Sequence, residues 1–398
     1  MKKFAVLFFL AAVSLYITAN CQQAVSANTY TVFLENQHTS AKDYILNLFK
    51  DHDIVIICER THTEMTQYNL ITDIVADKRF IDNVGNIFTE TGVSTLNPAL
   101  NTFLHTRHLP ADTVTQRIIR FQRNCSFWPV WSNENYAFFL HKLYDINNQL
   151  PAGKAINVYP SDLPFTWTGA DSAAMLQFKT MLAARDSIMA AQVIATFNNI
   201  KSSAQPRKKA LVIMNYRHAF NQAFQIGEHT LKNMAWFLFN KYGGRVANVL
   251  LNTVGFSGTG NFMLLQGGKW DAAFSNLGKE NAGFSFTNTP FGKDSFDLWP
   301  YKTAFTYENI FTGFAFYLPI EKHYLSEGYP GLVDSAYRRE LMRRIDLICI
   351  VGGEFLKMRN LKTALQADSS FLNIKDDKKY YQLDSLISVR NHLKLLER

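Results

Sequence analysis

Glu59, His62, Glu90 and His218 are side chains suited to moving protons or holding metal ions, and each stands at or just past the end of a short apolar run. Run 53–58 leads into Glu59 and His62, run 84–89 into Glu90, and run 210–214 into Asn215 and His218. A neutral imidazole beside a carboxylate can take a proton from water, because the carboxylate fixes the tautomer and stabilises the imidazolium. Glu59, three residues before His62, can supply that carboxylate, and so can Glu90. The same four groups suit zinc or a harder divalent ion, and spacing alone does not choose between the two chemistries. Glu59 and His62 do not form the two-histidine helical pair of an HExxH motif. Arg185, opening a helical stretch with Asp186, can reach an anionic group of a substrate or lock one of the glutamates. Its plain alternative is a salt bridge with Asp186. Asn215 is a further candidate for substrate contact. His105 and His108 flank Arg107 away from any strand end and read as surface or loop residues.

These residues need a scaffold that gathers strand ends. Short runs rich in Val and Ile, each followed by a helical pattern, read as buried parallel strands. In an open sheet of that kind, ligands bind beyond the carboxyl ends of the strands. Runs 155–159 (ending near Asp162), 246–251 and 346–351 read as three more strands, the last stopped by Gly352 and Gly353. Helical patterns cover 40–51, 64–80, 97–123 (interrupted by Pro110), 134–148, 171–200 in two pieces, and most of 218–242. Ser40 and Asp43 form a capping pair for the first. The expected fold class is therefore α/β: a mainly parallel sheet flanked by helices, with a helical subdomain at 95–150 and an aromatic-rich insertion at 254–330. The insertion, with Phe256, Phe262, Trp270, Phe274, Phe284 and Phe286, is expected to form short strands and loops near the mouth of the site. It fits a bulky apolar ligand and ordinary core alike.

Residues 1–27 read as an export signal. Lys2 and Lys3 precede an apolar stretch from Phe4 to Ile17 that is short for a membrane span. Cleavage near 19–27 would release a soluble protein covering 28–398, and Cys21 offers the alternative of a lipid anchor. Either way the chain is expected in the periplasm or at the cell envelope, with no transmembrane helix. Cys58, Cys125 and Cys349 form no CxxC pair and read as core residues rather than a disulfide framework. The net charge of +8 is spread along the chain. Without a basic stripe interleaved with aromatics, nucleic acid is not an expected partner.

The motifs resemble those of the erythromycin esterase-like proteins and their haem-binding ChaN-like relatives. Cys58 to His62 resembles the esterase Gly-Glu-x-Thr-His motif, and Glu90 the glutamate that ends the second strand. Arg185-Asp186 with Met189-Ala190 resembles an Arg-Asp-x-x-Met-Ala helix start, and Met214 to His218 a later His-Asn-x-His segment. The stretch 131–162 and the run 346–351 resemble the esterase layout and its last strand. The chain departs from the pattern where Cys58 replaces a glycine, Thr63 replaces another, and Met214 stands where a first histidine of the later pair belongs. The resemblance implies a hydrolase in which a histidine, here His62, activates water to cleave an ester or lactone of a small molecule. Glu59 and Glu90 would orient it, Arg185 and His218 would contact the substrate or the developing oxyanion, and no cofactor would be needed. The same scaffold implies two alternatives: a haem- or metal-binding protein without turnover, and a metal-dependent hydrolase or protease of the Tiki-like branch. In these, His62, His218, Glu59 and Glu90 would be ligands.

Overall fold

The computed structural model describes residues 27–131, 134–256, 261–298, 303–367, 373–375 and 382–395. Residues 1–26, which hold nearly all of the expected export segment and Cys21, lie outside them. Numbering only the strands of the main sheet, the described residues give β1 Ile54–Glu59, β2 Asn86–Val93, β3 Asn157–Asp162, β4 Ala210–Asn215, β5 Val246–Leu251, β6 Asn281–Ser285 and β7 Gly313–Tyr317. Their spatial order is β6-β7-β5-β1-β4-β2-β3, all parallel except β6. Helices cover both faces of this α/β fold. On β1, Val55 and Ile57 join one apolar cluster, and Ile54, Ile56 and Cys58 join the other. Such two-sided burial is why the central strands read as continuous apolar runs. No helix among the described residues is long and apolar enough to cross a membrane.

The helical segment 95–150 forms as expected, with helices Asn97–His105, Ala111–Asn124 and Glu134–Gln149. Ser40 caps the helix Ala41–Leu48 by accepting from the Asp43 amide. Three expectations need correction. Run 346–351 is not a strand but part of the helix Ser335–Ala367. Leu341, Ile345 and Ile348 are buried at helical spacing, and a short apolar run does not by itself distinguish the two periods. The kink at Gly353 (φ 65°) falls inside that helix. The place beside β5 is taken instead by β7, from the aromatic insertion. Segment 218–242 is helical only over Met234–Tyr242. Before it, Phe224–Ile226 and His229–Leu231 form a hairpin around Gly227, whose positive φ suits a two-residue turn. Finally, the insertion contributes sheet and core rather than a ligand-facing wall. Trp270, Phe274, Phe284 and Phe286 are buried against β7, with Phe274 stacked on Phe316 at 3.9 Å.

Candidate functional site

Parallel register brings the strand ends together. Glu59 of β1 lies opposite Asn215 of β4, and Thr89 of β2 opposite Ile213 of β4. β2 runs past Glu90 to Val93 through an irregularity in its pairing with β3. Gly92 makes this possible. Its φ of 112° is one that side-chain-bearing residues rarely adopt, and a Cβ there would lie 2.6 Å from Pro160.

The loop that carries His62 is fixed from below by a buried ion pair. The Arg60 guanidinium donates to Glu64 (2.9 Å), to the Asn252 carbonyl (2.6 Å) and to the Tyr317 carbonyl (2.7 Å), tying β1 to the ends of β5 and β7. Gln67 holds the same loop by accepting from the Arg60 amide and donating to the Thr61 carbonyl. Asn135 donates to the His62 carbonyl.

His62 is thereby presented with its two nitrogens in different surroundings. Nδ1 lies 2.7 Å from Glu59 Oε2, and the other Glu59 oxygen accepts from the Tyr68 hydroxyl at 2.7 Å. Nε2 lies 3.7 Å from Glu90 Oε1, beyond hydrogen-bond reach. The ring stands edge-on to Trp131, 5.5 Å between centroids. Burial pulls the His62 pKa down, but the Glu59 and Glu90 carboxylates outweigh it and leave it raised.

Glu90 is the hub. Its Oε2 accepts from the Asn215 amide at 2.8 Å, and its Oε1 accepts from Arg185 Nη2 at 3.1 Å and faces His218 Nε2 at 3.2 Å. Burial works against this carboxylate, yet His218, His62 and Arg185 hold its pKa well below the usual range. Arg185 also grips Asp162 through Nε (2.8 Å) and Nη2 (3.0 Å). It does not pair with Asp186, which takes His218 Nδ1 instead, at 2.7 Å. Both His218 nitrogens thus face carboxylates. Against the cost of burial, Glu90 and Asp186 push its pKa up to about 10. His218 is therefore an imidazolium at neutral pH, and its 3.3 Å approach to Arg185 Nη1 is a contact between two donors.

These groups surround a cavity of about 100 Å³ lined by His62, Glu90, Ser126, Trp128, Trp131, Asp162 and Arg185, with Thr91 and Gly92. Of the residues singled out in the sequence, His62, Glu90 and Arg185 line it. Glu59 stands behind His62, and His218 behind Glu90 and Arg185. The Asn215 side chain is turned away, donating to the Arg60 carbonyl and accepting from the Arg217 amide. His105 and His108 are exposed, far along the chain from these contacts. The six singled-out aromatics of the insertion do not line the cavity. Tyr68 and the segment Ser126–Trp131 were not marked by sequence reasoning. The signal available for the latter was two tryptophans around Pro129.

Metal and haem can be tested against these donors. Glu59, His62 and Glu90 offer atoms within 4.8 Å of one another, and His218 is not part of that group. Yet all four carboxylate oxygens of Glu59 and Glu90 already meet donors of this chain, and the Glu90 oxygen nearest His62 already faces Arg185 and His218. A divalent ion would enter beside two fixed cations. The carboxylate oxygens of this set are thus already met by the chain's own donors. The cavity is also well below the roughly 300–1,000 Å³ of pockets that enclose large organic ligands.

No family model and no curated protein sequence matches this chain. Among solved structures, a mutant of the erythromycin esterase EreC in its open conformation is similar at 11% identity, over 68% of this chain and 91% of that one, with a TM-score of 0.45. A Bacillus cereus protein is similar at 12% identity over 73% and 97%, with a TM-score of 0.44. The type III effector HopBA1 shows 14% identity over 56% and 87%, with a TM-score of 0.33. These are likenesses of chain path, and the chemistry is read from this chain's own side chains.

Proposed function

We propose that this protein is a metal-independent hydrolase that cleaves an ester or lactone of a small molecule with a water molecule activated by His62. The observation that carries this reading is the asymmetry of His62, with Nδ1 bound to Glu59 and Nε2 without a hydrogen-bond partner among the described residues. Nε2 would take the proton of a water held there as that water attacks the carbonyl carbon. Glu59, itself oriented by Tyr68, would stabilise the imidazolium that forms. The tetrahedral intermediate would carry a negative oxygen, for which Arg185, the cationic side chain lining the cavity, would supply the compensating charge. Its Nη1 has no carboxylate partner among the described residues. As the intermediate collapses, the imidazolium would return its proton to the leaving oxygen. Glu90, Asp162 and His218 are positioning residues, since they set the place and charge of His62 and Arg185.

The test is turnover of p-nitrophenyl acetate and of the lactone dihydrocoumarin by the wild type and by His62→Ala. Hydrolysis by the wild type that the variant lacks supports the reading. Equal rates in both, or no hydrolysis of either compound, count against it. We also propose export through residues 1–27, with cleavage near 19–27 or lipidation of Cys21. The intact mass of protein recovered from the cell envelope distinguishes the two.

A further inference from the structure

A second, larger cavity of about 780 Å³ lies where the helices Asn97–His105 and Ala111–Asn124 meet the segment 165–168. It is a groove open to solvent, with Ala99, Gln116, Arg117, Arg120, Thr166 and Thr168 exposed on its lining, and its volume is that of a pocket for an organic ligand. It has a physical origin. Leu100, Phe103 and Phe121 belong to one apolar cluster, Phe165 and Trp167 to another, and Leu96 touches both. The cavity is the seam along which those clusters fail to close. Its floor is therefore apolar, made of large side chains that are themselves well buried.

Its rim is of a different kind. Arg117 and Arg120, three residues apart and so on one face of their helix, both line the cavity. The buried guanidinium groups of Arg60, Arg207 and Arg344 are engaged by acceptors of this chain, whereas Arg117 and Arg120 are exposed. Neither the Arg117 nor the Arg120 guanidinium donates to any group among the described residues. Asp112 is the one carboxylate on the lining, which leaves the rim with a net positive charge.

We infer that this cavity binds an amphiphilic anion, whose apolar body lies on the Leu100–Phe121–Trp167 floor and whose carboxylate, sulfate or phosphate head is held by Arg117 and Arg120. Apolar burial would supply most of the affinity, and the planar guanidinium pair would select the sign of the head group. Three chain segments pass from this cavity to the one beside His62: residues 92 to 95, 124 to 126, and 162 to 165. The binding claim nevertheless does not depend on hydrolysis, and it is tested without turnover.

The experiment is calorimetric titration of the folded mature chain with laurate below its micellar concentration. Dodecyltrimethylammonium serves as the probe with the same tail and the opposite charge. Two variants accompany the wild type: Arg117→Gln/Arg120→Gln removes the head-group contacts, and Ala99→Trp fills the groove from an exposed lining position. Both change surface positions, and unchanged circular dichroism checks their fold. The expected result is saturable binding of laurate, at least about tenfold weaker for the cationic probe and for the double-glutamine variant, and abolished in Ala99→Trp. Loss of two charge-assisted contacts is enough for a tenfold change. Equal binding of the two probes, laurate binding untouched by either variant, or no laurate binding would overturn the inference. Repeating the titration on His62→Ala, where binding should persist, separates its failure from that of the hydrolase reading.

Discussion

Glu90→Gln tests the electrostatic account of the site most directly. The substitution keeps the volume of the side chain and one acceptor oxygen but removes the charge that Arg185, His218 and the Asn215 amide converge on. Its new amide group would face donors. Removing one partner from a buried ion network costs about 3–5 kcal/mol, because the remaining charges stay buried and unpaired. The pH dependence gives a sharper signature. The pKa of His218 rises from 6.5 to about 10 in the folded chain. A raised folded-state pKa means that the stabilisation is complete below pH 6.5 and is lost as pH climbs through about 10. At about 1.4 kcal/mol per unit, the ceiling is about 5 kcal/mol, and it is shared with Glu90 rather than added to it. Urea unfolding near pH 6 and again at about pH 10 measures this. At the lower pH the variant should be the less stable by several kcal/mol. At the higher pH the gap should narrow, since wild-type His218 is then half deprotonated and most of its linked stabilisation is gone, while the variant had less to lose. A constant gap at both pH values, or a variant as stable as wild type throughout, would refute the coupling of His218 to Glu90.

Three further outcomes follow from the same geometry. His62→Ala should lower kcat by about 10²–10⁴ on any cleaved substrate, with the fold retained at a cost of about 1–3 kcal/mol for the buried Glu59 oxygen left unpaired; a rate equal to wild type would remove His62 from the chemistry. Because a base must be neutral and the His62 pKa is raised by Glu59 and Glu90, kcat/KM should climb with pH through a limb above 6.5, and Glu59→Gln should move that limb to lower pH; an unmoved limb would assign it to another group. Dialysis against a chelator should leave turnover and melting temperature unchanged, and added haem should show no shifted Soret band; stoichiometric metal that restores activity lost on dialysis would refute the donor-set argument.

Much of the scaffold was legible because the central strands are buried on both faces and can be little else but runs of Val, Ile and Leu. Once β1 and β4 are seen as parallel neighbours, Glu59 and Asn215 must sit side by side. What was not legible depended on context that a short window lacks. Residues 346–351 are as apolar as β5, and only the buried spacing of Leu341, Ile345 and Ile348 shows the helical period. Short strands were expected in the insertion, but the bounds of β6 and β7 and their place at the edge of the main sheet were hidden among phenylalanines and glycines that also suit loops. In the site, Tyr68 is nine residues from Glu59 and meets it only because the helix Thr66–Val75 folds back over β1. Asp186 reads locally as the natural partner of Arg185, yet the helix start points them to different partners, Asp162 and His218.

The two histidines show why residue type at a strand end does not by itself assign a role. His218 is held between two carboxylates, so that both nitrogens keep their protons and no lone pair remains for chemistry. It is a fixed positive charge, with Asp186 and Glu90 to neutralise it. His62 is held on one side only. Glu59 takes Nδ1, while Glu90, drawn towards Arg185, His218 and the Asn215 amide, stays 3.7 Å from Nε2. Were Glu90 free to swing towards His62, it would clamp that ring as well and abolish the base. The cations behind Glu90 thus have a chemical consequence beyond stability: by occupying the glutamate, they keep one nitrogen of His62 open to the cavity.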